Sequence, residues 1–401
     1  MLLTSPSSDI SFFNLSKFSD FNIAEANKFM NTSYKEALKA SGAVSPNPFV
    51  GAAVVKNGKL LATSFHKEAG GSHAEVEALN GLSNSKTSGA DLYVTLEPCC
   101  HFGKTPPCTN LIIEKKIARV FIGMKDPNPL VAGKGINQLK KAGIKVYLAN
   151  NSESLRILNQ PFLKSLATKS SYLVLKAALT LDGKMATRSG SSKWITNAAS
   201  LAQVDYIRSK VASILIGENT LVLDDPTLGL RTLSNSIATS FGPYSPYRLA
   251  LVQHLENVSH NLSFFSAHKD NKSVLILPQK YKGSKLLLKF RIPESNLIFY
   301  PGKKASLSFI LKETYKMGIN SILLEGGASL IKQAFSEEVI DMGQFFIAPK
   351  ILGDNKGLTP FNFSSFKNYP PLNIDDGLTL ANVSALSYQD NCSFIFRQKI
   401  Y

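Results

Sequence analysis

From Ile23 to Leu148 the spacing of apolar residues switches several times between a helical and a strand period, and the switches delimit the elements. Helical spacing from Ile23 to Ala40 predicts a helix that stops at Gly42. The apolar runs Val50 to Val55 and Leu60 to Ser64 flank Asn57-Gly58, a strong signal for a two-residue hairpin turn, so two antiparallel strands are expected there. A helix start at His73, a buried strand over Leu92 to Leu96, a helix over Thr109 to Lys116 and a strand over Val120 to Met124 follow. A last helix and strand, Gly135 to Ala142 and Lys145 to Leu148, close the series. Such alternation predicts a layered α/β domain over residues 23–149.

Residues 150–171 are polar, opened by Asn150-Asn151-Ser152 and closed by Lys169-Ser170-Ser171, and read as a linker. A second domain, 172–401, starts with the apolar strand Tyr172 to Leu179, interrupted once by Lys176. Strands and helices alternate onward through Ile322 to Leu324, and the Ser-, Pro- and Gly-rich stretch Thr232 to Tyr247 reads as a loop. Residues 1–22 form an N-terminal extension whose scarcity of basic residues argues against a transit peptide. A chain of 401 residues exceeds one ordinary core, which agrees with two domains.

With 44% apolar residues the chain is globular, not disordered. It has no 18-residue apolar stretch, so no membrane partner is expected. Four cysteines in this length exclude a disulfide scaffold, and a need for free thiolates points to a reducing cytoplasm. The formal charge of +16 is dispersed without a basic run, and suits an anionic small molecule about as well as RNA. The lack of a basic-aromatic cluster argues against nucleic acid.

His73-Ala74-Glu75 precedes Glu97-Pro98-Cys99 and Thr105-Pro106-Pro107-Cys108, a donor set for one Zn²⁺ per chain. One imidazole and two thiolates leave the fourth tetrahedral position for a water whose pKa the metal lowers to roughly 7, which is a catalytic count. Glu75 lies where it can reach that water without binding the metal, as a general acid/base. Each cysteine follows a proline and precedes a helical pattern, so both thiolates are expected near helix N-termini. Cys100 is a bystander, since three ligands are already assigned. In the second domain, Glu325-Gly326-Gly327-Ala328-Ser329 follows an apolar strand and opens a helix, where glycines admit an anion to backbone N–H groups; a purely structural turn has the same signature. Lys176 is costly in an apolar strand unless it has a partner or a task, so it is a candidate catalytic or substrate-binding group.

These motifs, with Ser45-Pro46-Asn47-Pro48, Gly103-Lys104-Thr105 and Asp126-Pro127-Asn128-Pro129, resemble the deaminase half of RibD, a family of bifunctional riboflavin-biosynthesis enzymes. The nine-residue step from Cys99 to Cys108 separates that family from nucleobase deaminases with Pro-Cys-x-x-Cys. Leu181-Asp182-Gly183-Lys184, Lys193-Trp194-Ile195-Thr196, Asp224-Asp225-Pro226 and Glu325-Gly326-Gly327 resemble its reductase half. The resemblance implies a cytidine-deaminase-like three-layer domain followed by a dihydrofolate-reductase-like domain. It implies zinc-dependent hydrolytic deamination of a diaminopyrimidinone carrying a ribosyl phosphate, then NADPH-dependent reduction of the ribosyl unit. It also implies that Asn47, His66, His101, Lys104, Asp126 and Asn128 hold the first substrate, although both asparagines, set between prolines, suit a turn equally. In the second half it places Ala178, Trp194, Thr220, Asp224 and the loop Gly327, Ala328, Ser329 and Leu330 at NADPH. Ser192, Arg208, Leu228, Arg231 and Glu325 fall to the substrate, the two arginines suiting its phosphate through their bidentate fork, and Lys176 joins them only on the separate ground of its charge in an apolar strand. Trp194 equally suits a core and Asp224 a turn. Val252-Gln253 stands where the family commonly has Asp-Ser, which bears on cofactor preference. The expected partners are a small phosphorylated substrate and further copies of the chain. The alternative is a deaminase of nucleobases or RNA whose second domain is a degenerate oligomerisation module.

Overall fold

The protein is described by a computed structural model covering residues 9–14, 21–103, 106–190, 195–230, 244–361, 380, 382–398 and 401. It divides into two compact units: the first runs through Thr168 and takes in Tyr244 and Tyr401, and the second begins at Lys169. Among the described residues no helix is long and apolar enough to cross a membrane.

The first unit opens with α1 (Ile23–Ala37), capped by the Asn22 side chain, which accepts the Glu25 N–H at 3.1 Å. The hairpin forms as expected: β1 (Gly51–Lys56) and β2 (Lys59–Phe65) are antiparallel, and Asn57 (φ 52°) and Gly58 (φ 74°) make a turn with both central residues left-handed. Next come α2 (Ala74–Leu79), α3 (Asn84–Thr87), β3 (Asp91–Val94), α4 (Cys108–Glu114), β4 (Arg119–Ile122), α5 (Lys134–Lys141) and β5 (Lys145–Leu148). The sheet order is β2-β1-β3-β4-β5, with β3, β4 and β5 parallel. Parallel neighbours put the loops after β3 and β4 side by side at one sheet edge, where α/β folds place their ligands.

Two flanking segments belong to this unit. Phe12 and Phe13, in the stretch read as an extension, are fully buried in its core. The Asn27 amide accepts both their N–H groups at 2.8 Å and donates to Phe13 O, and Asn31 brackets Ile10 in the same way, so the backbone is satisfied without a sheet partner. Residues 150–171, read as a linker, are mostly helical: α6 (Glu153–Leu158) buries Leu155 and Leu158 in the core, and α7 (Gln160–Thr168) follows. The polar residues at both ends of the segment mislead here, because the apolar residues of two short helices lie between them.

The second unit contains β6 (Tyr172–Thr180), α8 (Ala198–Lys210), β7 (Ser213–Gly217), α9 (Glu218–Asp224), β8 (Tyr247–Leu251) and α10 (Ser263–Ser266). Then come β9 (Ser273–Pro278), β10 (Leu297–Tyr300), α11 (Leu307–Lys316), β11 (Ser321–Leu324), α12 (Ala328–Ser336), β12 (Met342–Ala348), β13 (Ser384–Tyr388) and β14 (Asn391–Arg397). The nine-stranded sheet has the order β10-β9-β8-β7-β11-β6-β12-β14-β13, parallel from β10 to β12 and finished by the antiparallel β14 and β13. The chain walks outward from β6 to β10 and returns to insert β11 between β7 and β6, so a crevice opens at the carboxyl ends of those strands. Lys176 and Ala178, two residues apart on β6 and both half-buried among buried neighbours, share one face of the strand there.

Candidate active sites

His73 caps α2 with extended backbone, and Cys108 is the first residue of α4. Cys99 departs from expectation: among the described residues no helix follows it before α4, and its sulfur instead accepts the N–H of Cys108 at 3.3 Å, so the helix start near it belongs to its partner. His73 Nδ1 lies 3.2 Å from Cys108 Sγ and 3.5 Å from Cys99 Sγ, and the three donor atoms lie within 4.8 Å of one another. Zn–S and Zn–N bonds of roughly 2.3 and 2.0 Å at tetrahedral angles require N···S edges of about 3.5 Å, so the donor set fits zinc. Cys100 is not part of the cluster.

Glu75 is 4% exposed beside these donors. Burial, reinforced by the negative charge on Cys99, pushes its carboxyl up to about 7, within reach of both protonation states near neutrality. A bound dication would act in the opposite direction. The hydrogen bond from Cys108 holds the Cys99 thiol well below its usual range, and the same pairing raises Cys108.

The cluster opens into a cavity of about 340 Å³ whose lining includes Asn47, His66, Glu75, His101, Asp126 and Asn128. His66 is 2% exposed, and burial lowers its pKa. As a neutral ring it donates from Nδ1 to Ser72 O at 3.0 Å, which leaves Nε2 to accept the Asn47 amide at 3.0 Å. Asn47 is thereby oriented by His66, which accounts for it better than a turn role alone. His101 Nδ1 is buried without a hydrogen-bond partner among the described residues. Burial raises the Asp126 carboxyl to about 6, while the Asn128 N–H, donating to Asp126 Oδ1 at 2.8 Å, acts against that. Lys104 lies outside the described residues.

Two contributors escaped the sequence reading. Glu97, 3% exposed, accepts the N–H groups of Asp126 (3.3 Å), Gly133 (3.0 Å) and Ile136 (3.1 Å), so one carboxylate fastens the Asp126–Asn128 loop and the start of α5 to the end of β3. Gly135 permits this, since a Cβ there would stand 2.2 Å from Pro98 O. The other is Phe162, which reaches the cavity from α7. A buried-acid signal stood in the Glu97-Pro98-Cys99 motif, whereas nothing local marks Phe162.

In the second unit a cleft of about 640 Å³ is lined by Lys176, Ala178, Arg208, Thr220, Asp224, Leu228 and Glu325, all expected there, together with Ile195, Thr196 and neighbours. Leu228 holds φ 54°, a left-handed conformation rare for a branched residue and found where a site constrains the backbone. Asp225, not Asp224, performs the turn: it ends α9 in the left-handed region and accepts Ser263 N and Oγ at 2.6 and 2.9 Å. Arg208 differs from expectation. Its fork is filled by Glu325 (Nε and Nη2, 2.6 Å each) and its Nη1 donates to Gly229 O at 2.8 Å, so it does not present a free fork to a phosphate. Both partners are buried, and the pair braces the cleft.

Gly326 packs against Thr220, whose Oγ1 would lie 3.0 Å from a Cβ there, and Gly327 (φ 68°) caps α12, so the turn suits close approach of an anionic cofactor to the first N–H groups of the helix. Leu330 is further from that role: its side chain is in the core and its N–H donates to Gly327 O at 3.1 Å. After β8, Val252 is fully buried, and the N–H groups of Gln253 and His254 donate to Glu218 at 2.8 and 3.0 Å. Ser192, Trp194 and Arg231 lie outside the described residues.

Residues 23–124 match the family model of the cytidine and deoxycytidylate deaminase zinc-binding region, and residues 171–389 match that of the RibD C-terminal domain. The riboflavin biosynthesis protein RibD of Aquifex aeolicus is 37% identical over 84% of this chain and 91% of its own length. That of Bacillus amyloliquefaciens is 36% identical over 86% and 91%. Among solved structures, Acinetobacter baumannii RibD superposes with a TM-score of 0.79 at 29% identity, covering 94% of this chain and 99% of that one. A Thermotoga maritima diaminohydroxyphosphoribosylaminopyrimidine deaminase/5-amino-6-(5-phosphoribosylamino)uracil reductase gives 0.77 at 30%, covering 93% and 99%. Since both halves match these family models and relatives above 30% identity cover more than four fifths of the chain, the zinc-type donor cluster with its buried acid and the second-unit cleft stand in a chain that belongs to the RibD family of bifunctional deaminase–reductases of riboflavin biosynthesis.

Proposed function

We propose that the first unit hydrolytically deaminates 2,5-diamino-6-(5-phosphoribosylamino)pyrimidin-4(3H)-one and that the second reduces the ribosyl group of the product to ribityl with NADPH. The observation that carries this reading is the cluster of His73, Cys99 and Cys108 with the buried Glu75 on the wall of a cavity sized for one small ring system.

His73, Cys99 and Cys108 would hold zinc, which when bound supplies Lewis acidity and an acidified water. Glu75 takes a proton from the attacking water and returns protons to the ring nitrogen and the departing amine, so that C–N cleavage yields ammonia and a ring carbonyl. Its burial lets one carboxyl both accept and donate near neutral pH. Asn47, held by the neutral His66, and the loop of Asp126 and Asn128, held by Glu97, position the pyrimidine by hydrogen bonds. In the second unit Thr220, Asp224 and the Gly326-Gly327 turn would hold NADPH, which when bound supplies the hydride. Lys176 faces the same cleft from β6, where an ammonium meets an anionic substrate, and the Arg208–Glu325 pair keeps the walls in place. Two free thiol ligands support a reducing, cytoplasmic setting.

The test is a coupled assay of ammonia release and NADPH oxidation on this substrate. Glu75→Gln is expected to keep zinc and to lose roughly 10²- to 10⁴-fold in deamination, while reduction of already deaminated substrate is unchanged. A loss of less than tenfold would remove Glu75 from proton transfer.

A further inference from the structure

Asn159 and Phe162 stand in the segment between the two family-model matches, which end at residue 124 and resume at residue 171. Asn159 is 1% exposed and clamps a loop far away in sequence: its Oδ1 accepts the Phe49 N–H at 2.7 Å and its Nδ2 donates to Phe49 O at 3.2 Å. Phe49 directly follows Pro46-Asn47-Pro48, whose three residues line the deaminase cavity. On α7, Pro161 and Leu163 are buried, whereas Phe162 between them is half-buried and contributes to the cavity wall. Among the described residues that line this cavity it is the only Phe, Tyr or Trp, the other aromatic rings being the imidazoles of His66, His73 and His101.

From this arrangement we infer that the segment after β5 completes the deaminase site, with Phe162 as an apolar wall for the face of the pyrimidine and Asn159 as a positioning residue. The inference rests on the deaminase reading of the cavity. A planar heteroaromatic ring needs in-plane hydrogen-bond partners at its edge and an apolar surface on its face, because base–aromatic contact adds affinity without displacing polar contacts. The polar edge partners are at hand in Asn47, Asp126 and Asn128. Phe162 supplies the face, and the Asn159 clamp ties the start of its helix to the Asn47 loop, so that edge and face partners keep their spacing.

The test uses the full chain with zinc bound. Phe162→Leu is expected to raise KM for deamination about tenfold with kcat within threefold, leaving zinc content and reduction of pre-deaminated substrate unchanged. Phe162→Tyr, which keeps the ring, should restore KM to within about threefold of the parent. Asn159→Ala and Asn159→Asp should each raise KM, the latter because a carboxyl oxygen would face Phe49 O where the amide Nδ2 now donates. Phe162→Trp adds a second indole to a chain with one tryptophan, and its emission should change when the deaminated pyrimidine product binds. An unchanged KM in Phe162→Leu overturns the wall. If Phe162→Leu does not fold, unaltered emission from Phe162→Trp on saturation with product overturns it instead. A parent enzyme that releases no ammonia would refute the deaminase reading itself, a result separate from either.

Discussion

Replacing Glu97 by Gln should show how one buried acid holds the floor of the deaminase site. The carboxylate accepts three backbone N–H groups, two at Oε2 (Asp126 and Gly133) and one at Oε1 (Ile136). An amide of the same shape must turn its NH₂ toward at least one of them. The less costly orientation gives up the bond to Ile136 and leaves that N–H facing a donor, at roughly 1–3 kcal/mol. The other two bonds weaken from charge-assisted to neutral, at roughly 0.5–1.5 kcal/mol each. Relief from burying a charge offsets part of this, so a net loss of about 3 kcal/mol is expected. The backbone cannot retreat to compensate, because Gly135 is already packed against Pro98 O. For a unit of this size the loss corresponds to a fall of roughly 6–12 °C in its midpoint. Two units need not unfold together, so the first-unit transition should be followed by zinc release alongside circular dichroism. KM for deamination should rise because Asp126 and Asn128 ride on the loop that Glu97 fastens. A midpoint within about 2 °C of the parent, with unchanged KM, would refute the account.

Cys99→Ser and Cys108→Ser should each lower zinc content, measured on purified protein, because an alcohol is a far poorer ligand than a thiolate; full occupancy in either would remove that residue from the site. Glu325→Gln leaves buried Arg208 with Asp205, at 3.8 Å, as its remaining charged partner and should destabilise the second unit by about 1–3 kcal/mol, with loss of NADPH oxidation but retained deamination. Thermal unfolding and the two activities read this, and unchanged stability would show the pair to be dispensable. Arg248, 1% exposed, is bonded to Asp270. Burial alone would raise the Asp270 carboxyl, but hydrogen bonds from Arg248 and Ser245 outweigh it and hold its pKa well below the usual carboxylate range. The resulting stability is complete above the unfolded-state value of about 4 and is lost as pH falls below it toward the folded-state pKa. Asp270→Asn should therefore be less stable than the parent at neutral pH and should flatten the acid limb of the second unit's stability curve; an unaltered limb would count against the pair.

The sequence by itself determined the donor set for zinc, the acid beside it, the Asn57-Gly58 hairpin and the alternation of strands and helices in both halves. Each of these is local: a ligand type at a given spacing, a turn requiring two left-handed residues, a period of two or of about three and a half. It also marked Lys176, a charge in an apolar strand that lines the second cleft, whereas Ala178, Arg208, Thr220, Asp224, Leu228 and Glu325 were placed there by resemblance. What only the tertiary structure decided depends on partners far apart in the chain. Arg208 reads as a phosphate ligand until Glu325, 117 residues away, fills its fork. The stretch around Phe12 and Phe13 reads as an extension until Asn27 and Asn31 bond its backbone and the core closes over the rings. Residues 150–171 read as a linker until Leu155 and Leu158 find the core and Asn159 finds Phe49, 110 residues earlier. A polar side chain carries no mark of the backbone group it will satisfy, and burial of an aromatic ring depends on surfaces that exist only once the sheet has assembled.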